Sequence, residues 1–514
     1  MDRQILTRKV VSVAAVVVLM LLVITAAGVT ARVTSSTGVV KWTPDGVLIS
    51  ALISALARDQ VSPRIISDEA GGAIVVWEHR QPAINITDIY AQRVNSEGIE
   101  LWMANGVPVS AAAFEQENPR LVSDGQDGAI IAWEDARWEG PKPSLYAQRV
   151  YSDGQVAWTP NGVVVSWDGW RPDLLSDGQG GAIIVWAGYE VGNDASSDIY
   201  AHRIDGNGMP VWPSRVVVCG APGIQNRPRI ESDGAGGAII AWEDERSGTD
   251  YDIYAQRIGG DGTTMWATNG VTVSAAGEWQ GSGLIVSDGA GGAILTWRDY
   301  RNVTPDDPYN CDVYAQRVYS DGTLAWIWPS GSSPTTTYGI TITAASDTQF
   351  PSSVVTDGAG GAIISWQHLS DEVPVTARIY AQRVNSDGSL AWATNGITIS
   401  ATTDAQEGGR MTSDGTGGAI VTWGQGTFMD WMTYDLYAQR LDANGNLLWG
   451  DNGIIVSAAA NEQSWGEITT DGAGGAIIAW DDYRSGTDYD IYAQRVGEEE
   501  EEYKVYLPLV MKNH

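Results

Sequence analysis

The chain has 514 residues and a formal net charge of −32, from 31 Lys and Arg against 63 Asp and Glu. A field of that sign repels phosphate backbones, which argues against nucleic-acid binding, while cations, basic partners and neutral glycans suit it. Sixty Gly, 23 Trp and 20 Tyr beside 3 Phe and 4 His point to short strands and tight turns. Apolar and aromatic residues spread along the whole chain exclude a disordered one.

Residues 1–31 read as a signal peptide or, if uncut, an N-terminal membrane anchor. Arg3, Arg8 and Lys9 precede an apolar run from Val10 to Ile24, and small residues offer cleavage after Ala27 or Ala31. The rest is therefore expected to be exported, extracellular or at the cell surface, touching a membrane only through that segment. Two cysteines, Cys219 and Cys311, are too few for a disulfide framework, and whether they bond to each other is left open.

From residue 38 to 497 the chain repeats itself. The 25 residues from Asp233 to Arg257 recur from Asp471 to Arg495 with two differences. The tetrapeptide Tyr-Ala-Gln-Arg, once with His for Gln, starts at Tyr90, Tyr146, Tyr200, Tyr254, Tyr314, Tyr380, Tyr437 and Tyr492, at intervals of 54 to 66 residues. A Trp closes each Gly-Gly-Ala-rich run: Trp77, Trp133, Trp186, Trp242, Trp297, Trp366, Trp423 and Trp480. A further Trp follows each Asp-Gly-type turn, from Trp102 to Trp449, but its eighth copy, Trp42, lies ahead of the first unit.

Each unit reads as four strands, a to d. In the first, strand a is Pro63–Ser67, strand b Gly72–Trp77, strand c Asp88–Val94 and strand d Glu100–Ser110, joined by Gly- and Asp-rich turns. No 3.6-residue apolar period persists beyond the export signal. A four-stranded unit repeated about every 55 residues is a propeller blade, so the fold class is all-β, an eight-bladed β-propeller of four-stranded antiparallel blades. The last unit lacks strand d. The spacing predicts that Val39–Ser50 supplies it, completing the last blade and closing the ring. Residues 498–514 form an acidic linker and a short C-terminal tail.

The W-x-D-x-R…D-I-Y-A-Q-R units, as in Trp242 to Arg246 and Asp252 to Arg257, resemble a group of exported bacterial β-propeller-type repeat proteins of unassigned activity. The resemblance covers about Gly38 to Val496. It implies the repeat architecture and no reaction.

Residues present in every unit serve what every unit needs, which is folding. The turn aspartates Asp68, Asp124, Asp177, Asp233, Asp288, Asp357, Asp414 and Asp471 recur with Arg93, Arg149, Arg203, Arg257, Arg317, Arg383, Arg440 and Arg495. They fall at one end of each blade and are expected to pair. The a–b and c–d turns hardly vary, whereas the b–c and d–a loops do. One face is thus uniform and the other diversified, the usual place for binding.

Six Trp outside the repeat positions fall in those variable loops: Trp138, Trp167, Trp170, Trp279, Trp431 and Trp465, with Phe114, Phe350 and Phe428 beside them. These Trp are the ligand-binding candidates, since flat aromatics stack on sugar rings or fill a partner's pocket. Packing beneath their own loops is the alternative. Clustered loop carboxylates, such as Asp244 and Asp250, have the oxygen chemistry for Ca2+, but solvated acids partnering Arg246, Arg301 and Arg484 are favoured. No motif requires a cofactor. His79, His202, His368 and His514 lack metal-ligand spacing, no nucleophile elbow occurs, and no catalytic residue is singled out. The expected function is an exported, non-catalytic binding or adhesion propeller that presents its loop face to a glycan, an envelope polymer or a protein. The alternative is a carbohydrate-active enzyme, a glycoside hydrolase or lyase, with acids near the ring axis.

Overall fold

The computed structural model of the protein describes residues 37–50, 59–81, 86–138, 142–190, 193–304, 310–326, 338–370, 375–428 and 430–499. The signal or anchor segment, residue 431's and residue 465's side chains, and the C-terminal tail lie outside the described residues. Among the described residues no helix is long and apolar enough to cross a membrane.

Eight antiparallel sheets of four strands follow one another, and their inner strands pack side by side in an unbroken circle. In the first blade the strands are Asp59–Ser67, Ala73–Gln81, Ile86–Val94 and Val107–Ser110. Strands a and b are longer than the sequence reading by several residues at their loop ends. The eighth blade takes its outer strand from the N-terminal segment: Gly38–Val40 pairs with Val496–Glu498, and Val47–Leu48 with Tyr492–Ala493. The ring is therefore closed as expected, and the edge of strand Asp490–Glu498 is covered.

The core lies between blades. Eight apolar clusters occupy the eight interfaces, and each holds one of the strand-b Trp residues, all 2% exposed or less. Burial of about 200 Å2 of aromatic surface at roughly 25 cal/mol per Å2 contributes on the order of 5 kcal/mol per Trp before entropy is counted. The strand-c Tyr stacks beside each, with ring centroids 5.9 to 6.4 Å apart.

Strand d is shorter than expected because a glutamine side chain replaces part of its ladder. Gln92 Oε1 accepts from the backbone N–H of Trp102 (3.1 Å), and Gln92 Nε2 donates to the Met103 carbonyl (2.9 Å). The chain is thereby held through a turn before it rejoins the sheet at Val107. Gly106, at φ 84°, ends that turn, and a Cβ there would lie 2.5 Å from the Trp77 ring. Only glycine combines that backbone with that approach.

All eight expected Arg–Asp pairs form, at 2.7 to 3.0 Å. The Asp organises its own turn as well: Asp124 Oδ1 accepts from the N–H groups of Gln126 and Gly128, both at 2.8 Å. The paired Arg then reaches the next blade. Arg149 Nη1 donates to the Gly206 carbonyl (3.1 Å), which also accepts from Trp158 Nε1 (3.1 Å). The same joint crosses the closure, where Trp42 Nε1 and Arg495 Nη1 both donate to the Ser96 carbonyl.

A candidate recess at the ring axis

The W-x-D-x-R acids differ from the sequence reading. Asp135, Asp244, Asp299 and Asp482 are buried, not solvated. Asp244 accepts from Trp242 Nε1 (2.7 Å) and from Arg246 Nε (2.8 Å), and the Arg246 guanidinium lies 3.7 Å from the Tyr254 ring centre. The motif is a bracket that fixes the b–c loop to the sheet. Its arginines are the partners anticipated, but its carboxylates are fully used.

The inner strands carry a bulge near their first third. Ser62, Asn118, Arg171, Arg227 and Ser282 adopt φ of 51° to 59° there. The freed N–H of Arg227 is taken by Asn226 Oδ1 (2.8 Å), and those of Asn118, Arg171 and Ser282 by acids that follow the strand-b Trp of the preceding blade. Glu78 accepts from Asn118 (2.9 Å), Glu134 from Arg171 (2.8 Å) and Glu243 from Ser282 (2.7 Å). Asp481 stands at the same place in blade eight, where burial holds its carboxyl well above the usual range.

Around the axis these strands leave a recess with two lobes. One, of 380 Å3, lies over blades four to eight and includes Phe350, Glu407, Arg410, Tyr434, Ser464 and Glu467 in its walls. The other, of 510 Å3, lies over blades two to four and is lined by Asn118, Arg120, Glu134, Trp170, Arg171, Pro172, Arg227 and Arg229. Arg227 and Arg229 belong to both, so the lobes share a wall. The lining comes from the first halves of strands a, the last parts of strands b and the start of a strand c. The recess is therefore at the end of the ring that bears the variable loops.

Charges in the recess are unequally satisfied. Glu134 is held by Arg171 N–H and by Asn118 Nδ2 (3.1 Å). Glu407 accepts from the Tyr434 hydroxyl (3.3 Å). Glu467 sits between Arg64 (2.8 Å) and Arg410 (3.8 Å). Arg227 pairs with Glu243 at 3.1 Å. By contrast Arg120, Arg171 and Arg229 make no ion pair among the described residues; Arg120 Nη1 and Arg229 Nη1 donate only to the carbonyls of Pro119 and Pro228. Burial, and then the nearby Arg64 and Arg229, push Arg120 down to about 10, with Asp173 and Glu467 opposing.

The sequence candidates separate into three groups. Trp138 and Trp167 are 57% and 63% exposed and meet edge to face, with centroids 5.7 Å apart. They form an aromatic pair on the rim. Trp170 is half-buried, touches Tyr189 (4.6 Å) and walls the recess. Trp279 is half-buried and stacks on Tyr300 (5.1 Å). For Trp431 and Trp465 nothing is described of the side chains. Phe350 walls the lobe over blades four to eight, with the Arg298 guanidinium 4.6 Å from its ring centre. The axial arginines escaped the sequence reading, although a signal existed: the residue four before the turn Asp is Arg in blades one, two, four and seven (Arg64, Arg120, Arg229, Arg410).

The two thiols are unbonded and buried. Burial pushes Cys219 up to about 12 and Cys311 up to about 11. His79 Nδ1 lies 2.7 Å from Gln60 Oε1, inside the sheet edge. Among the described residues no group of three or more His, Cys, Asp or Glu is gathered to hold a cation.

No family model and no curated protein matches the chain. Solved structures resemble it weakly. A polysaccharide lyase of family PL25, an ulvan lyase, aligns over 86% of this chain and 95% of its own at 11% identity and a TM-score of 0.44. Puromycin hydrolase aligns over 73% of this chain and 53% of its own at 13% identity and a TM-score of 0.37. A protein of unknown function from Dyadobacter fermentans aligns over 64% and 95% at 8% identity and a TM-score of 0.37. Likeness of this degree carries nothing about activity.

Proposed function

We propose that the protein is an exported, non-catalytic binding propeller that takes a glycan into its axial recess. The observation that carries this reading is the recess itself. It opens on the diversified face, its acids are already held by protein partners, and an aromatic wall at Trp170 stands beside unpaired donors. Stacking and hydrogen bonding together are what a sugar ring needs. The rim pair Trp138 and Trp167 is suited to extend contact to a longer chain or an envelope polymer. Export rests on the N-terminal residues alone.

The test is a glycan array probed with the protein lacking residues 1–31, followed by calorimetry of any hit. Trp170→Ala is expected to weaken the hit tenfold or more. An array with no glycan bound would overturn the reading. A carbohydrate-active enzyme is favoured by one feature, the Glu407–Tyr434 pair in the lobe over blades four to eight. Cleavage of the bound glycan, abolished in Glu407→Gln, would establish that alternative.

A further inference from the structure

We infer that the lobe over blades two to four is an anion-reading subsite and that the glycan is acidic, bearing carboxylate or sulfate groups. This rests on the glycan reading above and narrows it. The chain is strongly acidic overall, at −32, yet four of the eight residues lining this lobe are arginines. Most other arginines of the ring are neutralised. Eight are locked to turn aspartates, those of the W-x-D-x-R brackets to their own acids, and Arg64 and Arg410 to Glu467. Arg298 and Arg378 also lack an ion pair among the described residues, but they line neither lobe. Arg120, Arg171 and Arg229 alone face a common space with their forks unused by any carboxylate among the described residues.

Crowding like charges is unfavourable unless an anion enters; at Arg120 burial first, and then the charges of Arg64 and Arg229, loosen the proton relative to an ordinary guanidinium. The acids beside these forks are held elsewhere: Glu134, in the lobe wall, by the Arg171 N–H and Asn118 Nδ2, Glu243 by Arg227 and the Ser282 N–H, and Asp173 Oδ2 by the Ile230 N–H (3.3 Å). Planar guanidinium forks match carboxylate and sulfate oxygens two at a time. Trp170, braced by Tyr189, supplies an apolar face next to the forks. Alternation of an apolar ring face with an oxyanion is the chemistry of a uronate or a sulfated sugar, and an acidic peptide lacks the ring. The overall negative field opposes approach of a polyanion, but at physiological salt it is screened beyond about 8 Å, so the local forks decide the outcome.

Calorimetry with polygalacturonate, dextran sulfate, neutral dextran and poly-glutamate tests this. Polygalacturonate or dextran sulfate is expected to bind at least tenfold more tightly than dextran and poly-glutamate, and the tighter of the two identifies the anion. Arg171→Met, at an exposed side chain that threatens no fold, is expected to weaken that ligand at least fivefold, and Arg120→Met/Arg229→Met at least thirtyfold. Asp321→Asn on the opposite face should change it less than twofold. Dextran bound as tightly as either polyanion would overturn the acidic subsite while leaving the glycan reading intact. Poly-glutamate bound as tightly as the sugars would overturn the sugar part. Unchanged affinity in Arg171→Met, with unfolding midpoints preserved, would remove these arginines from the site.

Discussion

Replacing Arg149 by Met tests whether the repeated Arg–Asp joint holds the ring. Arg149 is 7% exposed and Asp124 not at all, and Nε and Nη2 both donate to Asp124 Oδ2, at 2.8 and 2.7 Å. Methionine keeps the aliphatic bulk and removes every donor. Asp124 would retain two backbone donors on Oδ1, but Oδ2 would be left buried without a partner. The Gly206 carbonyl would keep its Trp158 bond, so little is lost across the joint itself. Two charge-assisted bonds at about 1.5 to 3 kcal/mol each set the scale, in line with about 3 to 5 kcal/mol for breaking a buried pair from one side. Urea unfolding followed by Trp fluorescence should therefore show a loss of about 3 to 4 kcal/mol. Asp124→Ala should cost a similar amount, and the double variant about 2 kcal/mol less than the sum, since neither charge is then stranded. A loss below about 1 kcal/mol with additive single effects would refute the reasoning.

Three other outcomes follow from the same structure. Gly162→Ala places a Cβ 2.6 Å from Trp133 at φ 85°, so a loss of at least about 2 kcal/mol is expected in the same urea assay. Glu231 is raised from 4.5 to about 7, by burial first and then by Asp173. Its folded state therefore binds the proton more tightly, so its contribution is full below pH 4.5 and is lost as pH rises through about 7. Glu231→Gln should gain on the parent across that window by up to about 1.4 kcal/mol per pH unit in urea titrations. Removing residues 1–50 strips the outer strand from blade eight and bares the Asp490–Glu498 edge, and size-exclusion chromatography should show edge-paired oligomers or aggregate.

What the chain alone determined is its repetition and the consequence of repetition. Eight copies of one hairpin pair, with Trp42 displaced ahead of the first, admit a closed ring because the last sheet lacks the strand that the first segment offers. The turn Asp and strand-c Arg could be matched because they recur in step and fall at one end of every blade. The shortened strand d was hidden, since a side chain doing backbone work, as Gln92 does, leaves no mark in a hydrophobic pattern. Nor could the burial of Asp244 and its counterparts be read, because an acid beside an Arg looks the same in solvent as in a bracket under a Tyr ring.

Only the tertiary structure decided the site. Arg120, Arg171 and Arg229 stand on three different blades and meet because the ring turns their inner strands toward one axis. Which arginines are free depends on where the compensating acids sit, and that is a matter of distance across blades: Glu467 pairs with Arg64 and Arg410, and no carboxylate among the described residues comes within ion-pair distance of Arg120, Arg171 or Arg229. Local sequence encodes strands and turns through short-range sterics and hydrogen bonding. A recess at the axis is made by closure, a long-range event, so its charge is written nowhere in a single repeat.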